Sequence, residues 1–299
     1  MRKIFHFLHD ISKFMLVINQ QTSTTRMGVL DLFSLQGKVI VITGGTGVLG
    51  KSFVKALAEA GAKIAIVGRN LDKLTDRVKY AESFGAEALA VKADVMIEAE
   101  VVEAKTLILD KWGTIDGLVN AAGGNIPNAT IGPDKNIFES SVSDTLAAID
   151  LNLNGTIIPT HVFGQVIAEK GQGSIINIAS LSSQQALTRV LGYNVAKAGV
   201  VGYTQWMATE LSLRYGDKVR VNAIAPGVFL TEQNRALLTK EDGGYTERGQ
   251  KFINNTPFSR LGDPSELEGA LVFLLSDAAS FVNGEILYVD GGFSAWSGV

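Results

Sequence analysis

From Gly37 onward, short continuous apolar runs alternate with longer stretches in which apolar residues recur every three or four positions. The runs Lys38–Ile42, Lys63–Val67, Glu87–Val91, Ile115–Val119, Ser174–Ile178, Val219–Ile224 and Leu287–Val289 predict buried strands. Helices are predicted between them: after Ile42 to about Gly61, over Leu71–Phe84, up to Trp112, two stretches after Val119 of which the second covers about 150–170, over about Leu191–Tyr215, and from Pro264. Right-handed crossovers of this kind place helices on both faces of a parallel sheet. The expectation is an α/β fold, one doubly wound parallel sheet of about seven strands.

Two regions break the alternation. Residues 228–258 are rich in Thr, Asn and Gly with weak strand character, and read as a substrate lid. Residues 1–36 read as an N-terminal extension, either disordered or an amphipathic helix, because Ile4, Phe7, Leu8, Ile11, Met15 and Ile18 fall at helical spacing. His9, Asp10 and Lys13 interrupt its apolar run, which is too short to span a bilayer, and Met27 reads as an alternative start. The expected division is therefore an extension over 1–36 and one domain over 37–299.

Composition narrows the chemistry. With 46% hydrophobic residues in a chain of 299, a large buried core is expected. A formal net charge of −3 offers no basic field for nucleic acid. There is no cysteine and there are three histidines, so thiolate catalysis, disulfides and a Cys- or multi-His metal site are not expected. That usage suits a reducing compartment, and a cytoplasmic location is expected.

The first strand leads into Thr43-Gly44-Gly45-Thr46-Gly47-Val48-Leu49-Gly50 and then a helix. Glycines let a turn close tightly and let backbone amides approach a pyrophosphate, while the helix start adds its positive end. In this strand-turn-helix context, Gly44, Thr46, Gly47, Leu49 and Gly50 are candidate dinucleotide contacts, and the sheet reads as Rossmann-type. The second strand ends Gly68-Arg69-Asn70, without the acid that would bind an adenosine ribose. Arg69 suits a 2′-phosphate, which favours NADP over NAD. Tyr193 and Lys197, four apart, share one helix face, and Ser180 ends the fifth strand at the carboxyl edge where such sheets bind ligands. A lysine ammonium beside a phenol favours the phenolate, and the Ser180 hydroxyl can stabilise a developing oxyanion. The three read as a proton-transfer group, with Lys197 also reaching the cofactor ribose.

Taken together, residues 37–293 resemble the short-chain dehydrogenase/reductase family. Asn120-Ala121-Ala122-Gly123 resembles the family's sheet-supporting segment, with Ala121 in place of an Asn. The resemblance implies that Asp94 and the adjoining Val95 contact adenine, and that Asn152 is the catalytic Asn holding a water near Lys197. It further implies that Pro226, Gly227, Val228 and Thr231 contact the nicotinamide amide, with Asn70, Asn120, Ala121 and Gly123 lining the cofactor. The spacing Gly44, Gly47, Gly50 departs from the commonest turn, since Val48 stands where a Gly is usual. A homotetramer is implied by the long helices at about 150–170 and 191–215.

Three further segments, Gly123–Thr130, Thr231–Arg235 and Asp290–Val299, resemble the D-mannonate oxidoreductase (fructuronate reductase) group of that family. That implies interconversion of a keto sugar acid and its alcohol. Candidate substrate contacts are Asn125, Gln184, Gln185, Arg189, Gln233, Asn234 and Arg235, with Arg235 the first choice for the carboxylate. Other readings stay open: a gluconate 5-dehydrogenase-like or 3-oxoacyl reductase-like enzyme, or a non-catalytic dinucleotide sensor, against which Tyr193 and Lys197 both speak.

Overall fold

The computed structural model describes residues 28–298, apart from the side chains of Glu232 and Gln233; the helix expected within residues 1–26 lies outside the described residues. The chain divides between Leu32 and Phe33 into two units. In the first, the Gly28 amide donates to the Asp31 carboxylate at 2.7 Å. In the second, Leu35 is wholly buried and its amide donates to the Ala60 carbonyl at 2.9 Å.

The second unit is built on seven strands: β1 (Val39–Thr43), β2 (Lys63–Gly68), β3 (Ala88–Lys92), β4 (Gly117–Asn120), β5 (Gly173–Ile178), β6 (Val219–Pro226) and β7 (Ile286–Val289). They pair in parallel in the order β3-β2-β1-β4-β5-β6-β7. The order reverses between β1 and β4, so a crevice opens at their carboxyl ends, where Thr43 is level with Asn120. Every residue of β1, β4 and β6 is buried, which explains the apolar character of β1 and β4; β6 buries Arg220 and Asn222 as well, each hydrogen-bonded to backbone carbonyls.

Helices cover both faces: α1 (Val48–Glu59), α2 (Leu71–Glu82), α3 (Glu98–Trp112), α4 (Val142–Ile149), α5 (Gly155–Lys170), α6 (Leu191–Tyr215), α7 (Glu232–Leu238), α8 (Glu247–Asn254) and α9 (Glu268–Leu275). On one face Ile40 and Ile42 pack with Phe53, Leu57, Leu74 and Leu271; on the other Val39 and Val41 pack with Ile108, Phe163 and Met207. Burying each such side chain contributes roughly 1.5–3 kcal/mol, so the sheet is a rigid base for the loops at its carboxyl edge.

Three boundaries differ from the sequence reading. β6 runs on to Pro226, a tolerated end position because proline lacks only the donor that a strand interior needs. The helix expected from about 150 is entered at Val142 and passes through a π-helical turn, Asp150–Asn154, before α5. An inserted residue of this kind shifts the helix phase, which periodicity does not register. The region 228–258 holds two short helices, α7 and α8, rather than irregular chain, with an antiparallel bridge of Thr239 to Tyr245 between them. Among the described residues no helix is long and apolar enough to cross a membrane.

Candidate active site

The Gly-rich turn joins β1 to α1 at the crevice. Gly44 has φ +68, and a Cβ there would lie 2.4 Å from the Ala121 carbonyl oxygen; a Cβ on Gly50 would lie 2.4 Å from the Gly44 oxygen. These two glycines are demanded by the turn's own packing. Gly47 differs: it has φ −73, is exposed, and its Cβ would meet nothing nearer than 3.4 Å. It is the N-cap of α1, and no side chain caps that helix. An uncapped helix start behind a residue without a side chain fits a dinucleotide pyrophosphate. Gly44→Ala should therefore lower unfolding free energy by roughly 3 kcal/mol, measured by urea denaturation. Gly47→Ala should leave stability within about 0.5 kcal/mol yet weaken dinucleotide binding; unchanged affinity would remove the turn from the cofactor site.

At the ends of β2 and β3, Arg69 reaches Asp94, Nη1 to Oδ2 3.8 Å, with the Arg69 side chain 76% exposed. Asp94 Oδ1 also accepts from the Met96 amide at 3.0 Å, and Val95 is buried. Asn70 is the N-cap of α2, its Oδ1 accepting from the Lys73 amide at 2.9 Å. Asn120 is buried, its Nδ2 donating to Thr160 Oγ1 at 2.8 Å and Asn177 Oδ1 at 2.9 Å. It locks β4 to β5 and α5 beneath the crevice. The Ala121 and Ala122 amides both donate to Thr43 Oγ1 at 3.2 Å, fixing the loop after β4 against the turn.

The structure brings Ser180, Tyr193, Lys197, Asn152 and Gly123 together. Ser180 follows β5, nearly buried, its Oγ accepting from the Ser182 amide at 3.2 Å. Tyr193 and Lys197 lie one turn apart on α6, with Lys197 Nζ 5.6 Å from the Tyr193 ring centre. Lys197 is 4% exposed, and its Nζ donates to the Ile178 carbonyl at 2.7 Å. Asn152, inside the π turn, is wholly buried: Oδ1 accepts from the Gly124 amide, and Nδ2 donates to the Gly124 and Ala148 carbonyls, each at 2.9 Å. Both donors of that amide are engaged, so its side chain clamps the loop after β4. A Cβ on Gly123 would lie 2.6 Å from Asn152 Oδ1 and 3.7 Å from Lys197 Nζ, so glycine is what lets these groups converge.

Burial pushes the Tyr193 phenol up, the Ser180 hydroxyl drawing it only partly back. Burial also pulls the Lys197 ammonium down to about 8. Burial thus disfavours the phenolate, and the protonated phenol is a proton donor.

The substrate side is mixed. Asn125 Oδ1 is buried with no partner among the described residues. Gln184 is exposed, and Gln185 Nε2 donates to the Ser294 carbonyl at 3.1 Å. Asn234, expected to meet substrate, is engaged by the lid itself: Oδ1 accepts from the Thr231 amide at 2.8 Å and Nδ2 donates to the Phe229 carbonyl at 2.8 Å. Arg235 is exposed at the end of α7, and the Gln233 side chain lies outside the described residues. Pro226, Gly227 and Val228 leave β6 at the carboxyl edge, where the Gly227 amide donates to the Val289 carbonyl at 2.9 Å. Sequence reasoning missed Arg248. Its Nη1 and Nη2 donate to Thr188 Oγ1 and Thr188 O, each at 3.0 Å. The signal was Thr246, whose Oγ1 accepts from the Gly249 amide at 3.1 Å and starts α8.

The family profile described as Enoyl-(Acyl carrier protein) reductase matches residues 46–294. An uncharacterized oxidoreductase, UxuB, of Bacillus subtilis is 39% identical over 275 residues, 89% of this chain and 98% of its own. A 2-dehydro-3-deoxy-D-gluconate 5-dehydrogenase of Formosa agariphila is 36% identical, covering 90% of this chain and 97% of its own. Among solved structures, a proposed D-mannonate oxidoreductase from Haemophilus influenzae with bound NAD superposes with TM-score 0.82 at 39% identity, over 89% of this chain and 98% of that one. A gluconate 5-dehydrogenase from Burkholderia cenocepacia with NADP and tartrate superposes with TM-score 0.79 at 33% identity, over 90% and 100%.

Proposed function

This chain belongs to the short-chain dehydrogenase/reductase family, and from that premise we propose that it interconverts a keto sugar acid and its secondary alcohol, with D-fructuronate and D-mannonate as the pair. The observation that carries the reading is the convergence of Ser180, Tyr193 and Lys197 beside the β1/β4 crevice. The chain is an NAD(P)-dependent oxidoreductase acting on a CH–OH group. NAD or NADP, when bound, takes up or supplies the hydride.

In reduction, the Tyr193 Oη hands its proton to the carbonyl oxygen while Ser180 Oγ donates a hydrogen bond to that oxygen. Lys197 stays close to the Tyr193 ring and supports the phenolate left behind. Gly44, Thr46, Gly47, Leu49 and Gly50 would hold the pyrophosphate; Arg69, Asn70, Asp94 and Val95 the adenosine; Ala121, Gly123, Pro226, Gly227, Val228 and Thr231 the nicotinamide end, with Asn120 supporting from beneath. The Arg69–Asp94 ion pair leaves an acid at the ribose end beside the cation, so both dinucleotides are accommodated. A homotetramer, as in the family, is the assembly we propose.

The sugar-acid reading draws support from relatives whose names carry D-mannonate, gluconate and 2-dehydro-3-deoxy-D-gluconate. A 5-keto-gluconate substrate is the second reading, favoured by the gluconate 5-dehydrogenase neighbour. Initial rates with fructuronate, 5-ketogluconate and an acetoacetyl thioester, each with NADH and NADPH, separate the readings. Fructuronate should give a kcat/KM at least about tenfold above the other two. Preference for 5-ketogluconate would select the second reading; preference for the thioester would overturn both.

A further inference from the structure

The chain between Ser180 and α6 carries a backbone strain that the proton-transfer group does not account for. Arg189 has φ +77, in the left-handed region, four residues before Tyr193. A non-glycine residue held there costs of order 1 kcal/mol or more and persists only where its surroundings enforce it. Three different segments do so. The Ile131 amide, from the loop after β4, donates to the Arg189 carbonyl at 2.8 Å. Asn194, the neighbour of Tyr193, binds both backbone groups of Leu187, at 3.1 and 2.7 Å. Arg248, from lid helix α8, binds Thr188 twice.

That arrangement holds the Arg248 guanidinium at Thr188, the residue before Arg189. Arg248 lies over the Phe252 ring, 5.2 Å from ring centre to Cζ, and Phe252 packs at 6.2 Å from Phe293. Its side chain is thus held between Thr188 and the Phe252 ring. Burial, and after it the charge of Arg189, disfavours the charged form of Arg248. The charged groups around them are Glu247, which faces Arg189, and Lys251, whose Nζ holds Glu247 Oε1 at 2.7 Å. No carboxylate forms an ion pair with Arg189 or Arg248 among the described residues. Arg248, on the lid helix and bonded to the loop that leads into the catalytic helix, has no ion-pair partner among the described residues and is placed to take a substrate anion.

We propose that Arg248 and Arg189 form the subsite for the substrate's carboxylate, so that the lid recognises the acid group while Tyr193 and Ser180 hold the carbonyl. This rests on the sugar-acid reading above. It moves the carboxylate from exposed Arg235 to a rigid, part-buried pair whose backbone is fastened to the catalytic helix. A carboxylate bound there also spans α8 and the Thr188 loop, so occupancy holds the lid down over the reacting carbon.

The test compares fructuronate with D-fructose, which has a neutral CH2OH in place of the carboxylate, in wild type, Arg248→Gln, Arg248→Lys, Arg189→Gly and Arg235→Gln. Arg189→Gly removes a charge while suiting the left-handed backbone, so it tests the site without disturbing the loop. Arg248→Gln and Arg189→Gly should each raise KM for fructuronate by about tenfold or more, with kcat and the dinucleotide Kd held within about threefold. Arg248→Lys should recover part of the loss. Unchanged KM in both variants, an equal loss on fructuronate and fructose, or a rise in KM confined to Arg235→Gln would each overturn the subsite. If wild type shows no preference for fructuronate over fructose, the sugar-acid reading falls first and takes the subsite with it.

Discussion

Tyr193→Phe is expected to lower kcat for carbonyl reduction by about 10²–10⁴-fold, the range that a positioned general acid contributes. The substitution deletes one oxygen and nothing else. Lys197 keeps its bond to the Ile178 carbonyl, Asn152 keeps the loop after β4, and the Gly-rich turn is remote from the change. Dinucleotide affinity and unfolding midpoint should therefore stay near wild type, so that the loss lies in the chemical step. The Tyr193 phenol also has a raised pKa from burial, so the fraction of enzyme able to donate should not decline until pH passes the ordinary phenol range near 10. An alkaline limb centred near pH 8 in wild type reports Lys197, whose ammonium titrates at about 8. The measurement is kcat for ketone reduction under saturating cofactor, with dinucleotide Kd by fluorescence quenching. Turnover retained within a few-fold would remove Tyr193 from proton transfer and with it the reaction proposed above.

Much of this arrangement was legible before any coordinates. The strands announced themselves because they are buried almost throughout, so that β1 is apolar up to its last residue and β4 likewise. Tyr193 and Lys197 were legible because a four-residue helix spacing is local geometry, and the turn because its glycines cluster between a strand and a helix, Gly50 packing on Gly44 itself. What escaped depends on contacts distant in sequence. The π turn at Asn152 serves a clamp on Gly124, twenty-eight residues upstream. Arg248 gains its place from Thr188, sixty residues away, and its helix is only eight residues long. That Asn234 and Asn70 also serve the backbone at the starts of their own helices was not legible from composition, although asparagine enters such bonds readily. The upward shift of the Tyr193 phenol escaped for a related reason: spacing places Lys197 nearby, but the degree of burial is a property of the packed structure.

That same burial makes Lys197 a residue kept at the expense of stability, which Lys197→Met exposes. The folded ammonium titrates at about 8 against an ordinary 10.5. Below pH 8 both folded and unfolded chains carry the proton, and confining the charge is a constant cost. Between pH 8 and 10.5 the unfolded chain binds more protons than the folded one, so this group's contribution to stability rises with pH, by about 3 kcal/mol across the window. Methionine has similar length and no charge, and forfeits chiefly the bond to the Ile178 carbonyl, worth about 1–3 kcal/mol where the acceptor is left unpaired. The variant should therefore be at least as stable as wild type at pH 7. The difference in unfolding free energy, wild type minus variant, should climb by about 3 kcal/mol from pH 8 to 10.5. Turnover should meanwhile fall by about 10²-fold or more, since the group beside the Tyr193 phenolate is gone. Urea denaturation of both proteins at several pH values across the window, read together with kcat, checks both halves. A difference that stays flat would mean that Lys197 is not a buried ammonium, and a variant that retains turnover would mean that its charge does not support Tyr193. Both results as expected would identify the buried charge within α6 as a feature retained for catalysis, since packing alone would favour an apolar side chain there.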